Sequence, residues 1–447
     1  MEQEKRFFRT VCALAVPVAL QSMLQSSFAI VDQLMIGQLG SVSVAGVGLA
    51  GKFSSVCSVL VSAIGAIAGI MISQYLGQKN RREVRRSFFL NLLLAVLAAG
   101  IFTALCALLP RPIMGLYTRD DATKTAAAAY LAILSGSFLP MAGATLLAAL
   151  FRCMEKASLP LYASILAALV NTGLNYLLIF GKLGIPALGA EGAAIATVAS
   201  QWVNFIIMLL MLLRYRQILA PEMGTGALLS GFRWGQYGAM LLPVLACELL
   251  WSLGENVYAG IYGHLGTDST AAMTLINPVQ SLVIGALCGL SQAAGVIVGK
   301  RLGQGDYDGA YWASKKLLVY GFAGSLALSA LVVLAAPCYV RLYRVEETVK
   351  NLTVQILLAY AVVAPFKVQN MITGSGILRS GGRTRLVMFI DIIGTWGFGV
   401  PLGLLAAFVW KLSIPWVYFL LSLEECVRFA ISLGVLRKRT WMRSLES

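Results

Sequence analysis

Few residues of this 447-residue chain can hold or exchange a cation, and they stand where charge is most costly. Within otherwise apolar runs lie Asp32, Glu248, Glu255 and Asp391, together with Lys52 and Lys367. An ionisable group at membrane depth costs several kcal/mol unless it faces a cavity or a partner, so each is a functional candidate. The chemistry open to the carboxylates is reversible protonation or cation binding. Gln21, Gln25 and Asp32 are spaced by four and seven, which places them on one helical face. Asn171 and Asn175 are four apart, and Thr197, Gln201 and Asn204 repeat the four-and-seven spacing. Such faces either line a shared polar site or hydrogen-bond from helix to helix, and spacing leaves both readings open.

Depth suggests partners. At about 1.5 Å per residue, Asp32, near the end of one apolar run, and Lys52, near the start of the next, stand at similar depth. Either they pair, which favours the charged form of Asp32, or Lys52 snorkels to the outer interface. Glu248 and Glu255 are seven apart and share a face. Lys367 matches Glu248 in depth, and Asp391 lies a turn or two inside its own run, so a Glu248, Lys367 and Asp391 cluster is expected, functional or purely structural. Glu255 has no basic residue at its depth, which makes it the better candidate for protonation or cation binding, with Asn277, Gln280 and Ser281 around it.

The elements that carry these residues are membrane helices. Hydrophobic residues are 58% of the chain, charged residues 12%, and mean hydropathy is +0.79. A soluble domain carries about twice that charged fraction. Twelve apolar runs are long enough to span: 11–37, 47–76, 88–109, 125–150, 160–181, 191–213, 237–262, 273–299, 315–338, 350–374, 386–409 and 416–436. The chain also repeats itself at an offset of 226 residues (17 to 243): Pro17 and Pro243, Gly37 and Gly263, Gly77-Gln78 and Gly303-Gln304, Leu116-Tyr117 and Leu342-Tyr343 all keep it. The fold class expected is all-α, a duplicated polytopic membrane protein with one six-helix bundle over 1–220 and a second over 221–447. At this offset Tyr258 takes the place of Asp32, so the halves keep their frame and diverge in charge.

Roughly 25 of the 35 Lys and Arg fall on one side if the N-terminus is placed there, including Lys79 to Arg86, Lys300 to Lys316, Arg379 to Arg385 and Arg428 to Arg443. Both termini are then cytoplasmic, in a multi-pass protein of the inner (plasma) membrane. The short basic start, Met1 to Arg9, leads into a retained first span rather than a cleaved signal, because no small-residue cleavage site follows. The net charge of +15 reflects this topology and anionic headgroups, not nucleic acid. The eight cysteines have no ligand spacing with one another or with His264, the single histidine, so no metal is expected. No nucleophile-base pair or nucleotide-binding loop is found, and Gly303-Gln304-Gly305 reads as a turn. The expectation is a non-enzyme without cofactor or ATPase subunit, driven by H+ or Na+, whose partners are small organic molecules and the bilayer.

Several motifs carry a family resemblance. Val31 to Gly37 (VDQLMIG), Ser73 to Gln78 (SQYLGQ), Asn171 to Gly181 (NTGLNYLLIFG), Gly189 to Thr197 (GAEGAAIAT) and Gly376 to Thr384 (GILRSGGRT), followed by Pro401, resemble the multidrug and toxic compound extrusion (MATE) transporters of bacteria over nearly the whole chain. The resemblance implies two six-helix bundles in a V and export of organic, often cationic and aromatic, compounds in exchange for protons or sodium ions. It matches Asp32 to the acidic residue of the first span, Asn171 to an amide of the fifth, Thr197 to a hydroxyl of the sixth and Glu248 to the acid of the seventh. Asn175 stands where some members carry a second aspartate, and Lys52 and Lys367 match no family feature. Alternating access at Asp32, with Glu255 or Glu248, is the mechanism implied. The alternative is a lipid-linked oligosaccharide flippase of the same wider superfamily, a class that lines its cavity with several basic residues, whereas Lys52 and Lys367 are the mid-membrane ones expected here. A major-facilitator importer lacks support because its charged loop between the second and third spans is absent, and a receptor or scaffold because nothing extends from the membrane.

Overall fold

A computed structural model describes residues 2–182, 184, 186–215, 233–343 and 345–445; the expected boundary at 220/221 lies outside them. Every regular element among these residues is helical. In chain order they are α1 (Glu2–Gly37), α2 (Ser41–Gly77), α3 (Arg81–Leu108), α4 (Pro110–Gly115), α5 (Asp121–Leu134), α6 (Phe138–Cys153), α7 (Ser158–Phe180) and α8 (Gly189–Arg214). They continue as α9 (Trp234–His264), α10 (Thr267–Gly303), α11 (Tyr307–Arg341), α12 (Glu347–Asn370), α13 (Thr384–Gly394), α14 (Val400–Leu404), α15 (Ile414–Ser422) and α16 (Glu424–Lys438). A π-helical turn, Met371–Leu378, prolongs α12, and two more, Thr395–Gly399 and Leu405–Val409, flank α14.

Among the described residues, eleven helical stretches are long and apolar enough to cross a bilayer. Their outward faces are apolar: Ile101 is 62% exposed, Leu169 59% and Leu334 77%. Side chains so placed fit a hydrocarbon solvent and not water. The run at 416–436, expected as a span, holds α15 and α16 with a break at Leu423, which the buried Glu424 and Glu425 follow. Neither α15, of 9 residues, nor α16, of 15, is by itself long enough to cross a bilayer, so the two together make up this run.

The helices group into two compact units: residues 20–72 with 80–232, and residues 1–19 with 73–79 and 233–447. Residues 1–19 and 73–79 thus pack with the second half of the chain, where the repeat alone suggested a plain division by sequence.

In the first of these units α7 and α8 form a tight pair. Gly181 closes α7 with φ of +65°, which a residue with a side chain adopts only under strain, and Lys182 N–H and Leu188 N–H return to the carbonyls of Leu177 and Leu178. A Cβ at Gly192 would stand 2.8 Å from the Leu178 carbonyl. The glycines of the two motifs in this region therefore set how closely α8 returns along α7.

The second unit shows the repeat directly. A Cβ on Gly77, at the end of α2, would collide with the Lys300 carbonyl, and a Cβ on Gly303, at the end of α10, would collide with the Gln74 carbonyl. Gln74 and Lys300, like Gly77 and Gly303, are repeat mates, so the contact is reciprocal. Beyond it, Gly305 turns the chain with φ of +75°, as expected of that segment. Gln74, fully buried, donates to the Ser380 carbonyl at 2.6 Å and to the Arg443 carbonyl at 3.3 Å, while Leu445 N–H donates to its Oε1 at 2.6 Å. The C-terminal tail is thereby clasped against α2, with Trp441 wholly buried.

Candidate functional site

In the unit of residues 20–72 and 80–232, α1 and α7 meet twice through polar pairs. Gln21 Nε2 donates to Ser164 Oγ at 2.8 Å, and Asn175 Nδ2 donates to Asp32 Oδ1 at 2.6 Å. Each pair is 143 residues apart in sequence, so the two helices run parallel in constant register. Four-residue spacing brings Asn171 to the same carboxylate: Asn175 Nδ2 lies 3.2 Å from its Oδ1, and with the amide turned to face Asp32 its nitrogen donates to both carboxylate oxygens at 3.0 and 3.2 Å. Ser200 of α8 completes the group, its hydroxyl 3.5 Å from Asn171 Nδ2. Asn175 Oδ1 is buried with no hydrogen-bond partner.

The rest of the polar set divides. The Thr197 hydroxyl bonds to the Ala193 carbonyl of its own helix, so Ser200, three residues on, is the hydroxyl that reaches the asparagines. Sequence reading missed Ser200 because a lone serine in an apolar run carries no signal. Gln25 is exposed and Gln201 half-buried, and neither joins the cluster through a hydrogen bond. Lys52 does not pair with Asp32: it is exposed and makes no ion pair among the described residues. The carboxylate meets amides instead, because an amide donor holds it without the desolvation cost of a second buried charge.

In the other unit two cavities lie side by side. The first, 260 Å³, is lined by Glu255, Tyr258, Asn277, Gln280, Tyr418 and Glu424, among others. Glu255 faces it as expected, with no ion pair among the described residues; Asn277 and Gln280 are beside it and Ser281 is not among its lining. Tyr258, the repeat mate of Asp32, donates its hydroxyl to Glu424 Oε2 at 2.6 Å, and Gln280 Nε2 donates to the Tyr418 hydroxyl at 2.7 Å. The second half thus draws from its last helix the carboxylate that the first half carries on α1.

The second cavity, 290 Å³, holds Glu248, Lys367, Asp391, Arg379 and Arg428. The expected Glu248, Lys367 and Asp391 cluster therefore shares one cavity, but its ion pairs are different. Glu248 Oε1 lies 3.6 Å from Arg379 Nη1, and Arg428 binds Asp391 while reaching Glu425 Oε2 at 3.4 Å. Asn370 Nδ2 also donates to Glu425, at 2.8 Å to Oε2. Lys367 borders both cavities and makes no ion pair among the described residues. Arg379 and Arg428, assigned from sequence to basic cytoplasmic segments, are instead partners of carboxylates, the first buried and the second half-buried. A guanidinium matches a carboxylate in shape and draws it into a fixed geometry, where a lysine would not.

Long apolar-faced helices in a duplicated frame, with carboxylates held inside each unit, define a polytopic membrane transporter. A model of the MatE family matches residues 17–177 and again 243–405, each match beginning on a proline of the repeat, and the chain belongs to that family. It is similar to "Multidrug resistance protein NorM" of Burkholderia vietnamiensis, 29% identical over 411 residues that cover 88% of this chain and 86% of that one. "Uncharacterized transporter YisQ" of Bacillus subtilis is 22% identical over 445 residues, covering 96% and 94%. Among solved structures, a MATE transporter in the straight conformation superposes with a TM-score of 0.88 at 18% identity, over 96% of this chain and 95% of that one, a likeness of fold.

Proposed function

We propose that this chain exports organic, often cationic and aromatic, compounds by alternating access in exchange for protons or sodium ions, with Asp32 as the coupling carboxylate. The observation that carries the reading is the Asp32 cluster: a single carboxylate inside an apolar unit, held by two asparagines, with no basic partner among the described residues. One negative charge held by neutral amides, with no second charge beside it among the described residues, is neutralised by a single monovalent cation. The partnerless Asn175 Oδ1 is an acceptor that a proton on Asp32, or a sodium ion beside it, would satisfy. Loading the site removes the net charge that the amides hold and so changes how α1 packs along α7. A cation and a drug that prefer opposite-facing states then weaken each other's binding by the same factor. Glu255, open to its cavity, is the second coupling candidate; Glu248 is engaged by Arg379 and is the weaker one. Its similarity to multidrug resistance proteins of the NorM type supports multidrug export. The basic loops support a chain with both termini cytoplasmic.

The flippase alternative finds two further basic residues on a cavity wall, Arg379 and Arg428, yet both are engaged by carboxylates, which leaves little for a pyrophosphate.

The test is uptake of a fluorescent organic cation into inside-out vesicles, driven in turn by a pH gradient and by a sodium gradient. Export coupled at Asp32 requires that one gradient drives uptake and that Asp32→Asn abolishes it. Uptake unchanged in Asp32→Asn would remove Asp32 from the coupling role.

A further inference from the structure

A third cavity in the unit of residues 1–19, 73–79 and 233–447 is larger than the two described above. It lies at the end of that unit where α9 and α13 begin and the C-terminal tail is clasped, has a volume of 1210 Å³, and carries Arg233, Arg383, Arg385 and Arg443 on its walls. No Asp or Glu is among the described residues that line it. The contrast with the neighbouring 290 Å³ cavity is physical: there each arginine is met by a carboxylate, whereas here Arg383, Arg385 and Arg443 make no ion pair among the described residues. Arginines crowded into one concavity repel each other unless an anion joins them. The N-terminus of α13, which has no side-chain cap, opens into the same place and adds peptide N–H groups to the positive field.

Part of the remaining wall is apolar, the rest being made by glycines and by Gln236, Tyr307 and Ser444. Met240, Leu386, Met442 and Leu445 line it, and Phe389 stands 57% exposed beside them. An arginine-rich pocket continuous with an apolar, outward-facing wall suits a molecule that is anionic at one end and hydrocarbon at the other. We propose that this cavity is a binding site for an anionic phospholipid of the surrounding leaflet, its phosphate held by Arg383, Arg385 and Arg443 and its acyl chains laid past Leu386 and Phe389. The tail contributes Arg443 and is itself anchored by Gln74, so the site is built only when the tail is clasped. Headgroup binding therefore ties together the starts of α9 and α13 and the C-terminus. The site is independent of the Asp32 cluster and of which compound is exported.

The full-length protein in detergent is titrated with phosphatidylglycerol and, separately, phosphatidylcholine, with bound lipid counted by native mass spectrometry; a third arm adds inorganic phosphate. The parent is expected to retain phosphatidylglycerol in preference to phosphatidylcholine, and phosphate at millimolar levels is expected not to displace it. Each arginine near an anionic headgroup is worth roughly a factor of five, so the triple variant Arg383→Gln, Arg385→Gln, Arg443→Gln should bind phosphatidylglycerol on the order of 100-fold more weakly. The corresponding triple lysine variant, which keeps the charge, should recover most of the binding and shows that the loss is not misfolding. Equal retention of the two lipids by the parent, or undiminished phosphatidylglycerol binding in the glutamine variant, would overturn the proposal. Displacement by free phosphate would overturn the lipid and leave a soluble phosphate ligand in its place.

Discussion

Tyr258→Phe is the sharpest perturbation of the second half, because it deletes one oxygen from a bond that the repeat did not supply. Tyr258 stands where the first half has Asp32, and its hydroxyl meets Glu424 Oε2 at 2.6 Å in a region where Glu424 is only 6% exposed. A hydrogen bond to a charged group contributes about 2 kcal/mol, and a buried carboxylate that loses its donor forfeits most of this. The variant is therefore expected to lose about 2 kcal/mol in equilibrium unfolding in mixed micelles. Glu424→Gln removes the charge from the same bond on the other side. If the two groups act as a pair, the double variant falls short of the sum of the singles by about 1 kcal/mol or more, the size of coupling seen between residues in direct contact. Gly399→Ala offers an independent route: a Cβ there would overlap both Glu424 Oε2 and the Tyr258 hydroxyl, so it too breaks the pair without touching either side chain. Its cost should shrink when Tyr258 is already Phe. Strict additivity in both cycles, within about 0.5 kcal/mol, would refute the claim that these residues form one unit.

Gln74→Ala leaves the Leu445 N–H and the Ser380 carbonyl without their partner; a loss of about 2 to 4 kcal/mol and faster proteolysis of the C-terminal tail are expected, checked by unfolding and limited digestion. Gly77→Ala and Gly303→Ala push a methyl into backbone carbonyls, so each should sharply lower the folded yield, read by size-exclusion profiles, while Gly100→Ala, which meets nothing, should not. Arg428→Met strands Asp391 and Glu425 in a buried cavity and should cost about 3 to 5 kcal/mol, partly restored when Asp391→Asn is added. In each pair the control or rescue separates a specific contact from general fragility.

Much of the site was legible because helical spacing projects directly into space. The four-residue step between Asn171 and Asn175 places both amides on one carboxylate, and the shared face of Gln21 and Asp32 becomes two contacts in constant register along α7. Depth was a poorer guide. It put Lys52 beside Asp32 and Lys367 beside Glu248, but depth fixes one coordinate of three, and neither lysine makes an ion pair among the described residues. The arginines that do the pairing, Arg379 and Arg428, group with basic cytoplasmic segments when read in one dimension, and the buried Glu424 and Glu425 stand unmarked inside the run at 416–436. Charges that neutralise one another across helices escape any tally made along the chain.

The sequence by itself determined that this is a duplicated, all-helical membrane protein of the MatE family, because hydropathy and an offset that survives several loops are properties of the chain alone. It also determined that Gly77 and Gly303 recur, though not what they touch. Only the tertiary structure decided that residues 1–19 and 73–79 pack with the second half, that Tyr258 borrows its carboxylate from Glu424, and that four arginines ring one cavity. The physical reason is common to all three: which helix faces which is settled by close packing and by the mutual neutralisation of buried polar groups, and those are properties of pairs of segments, not of either segment read alone.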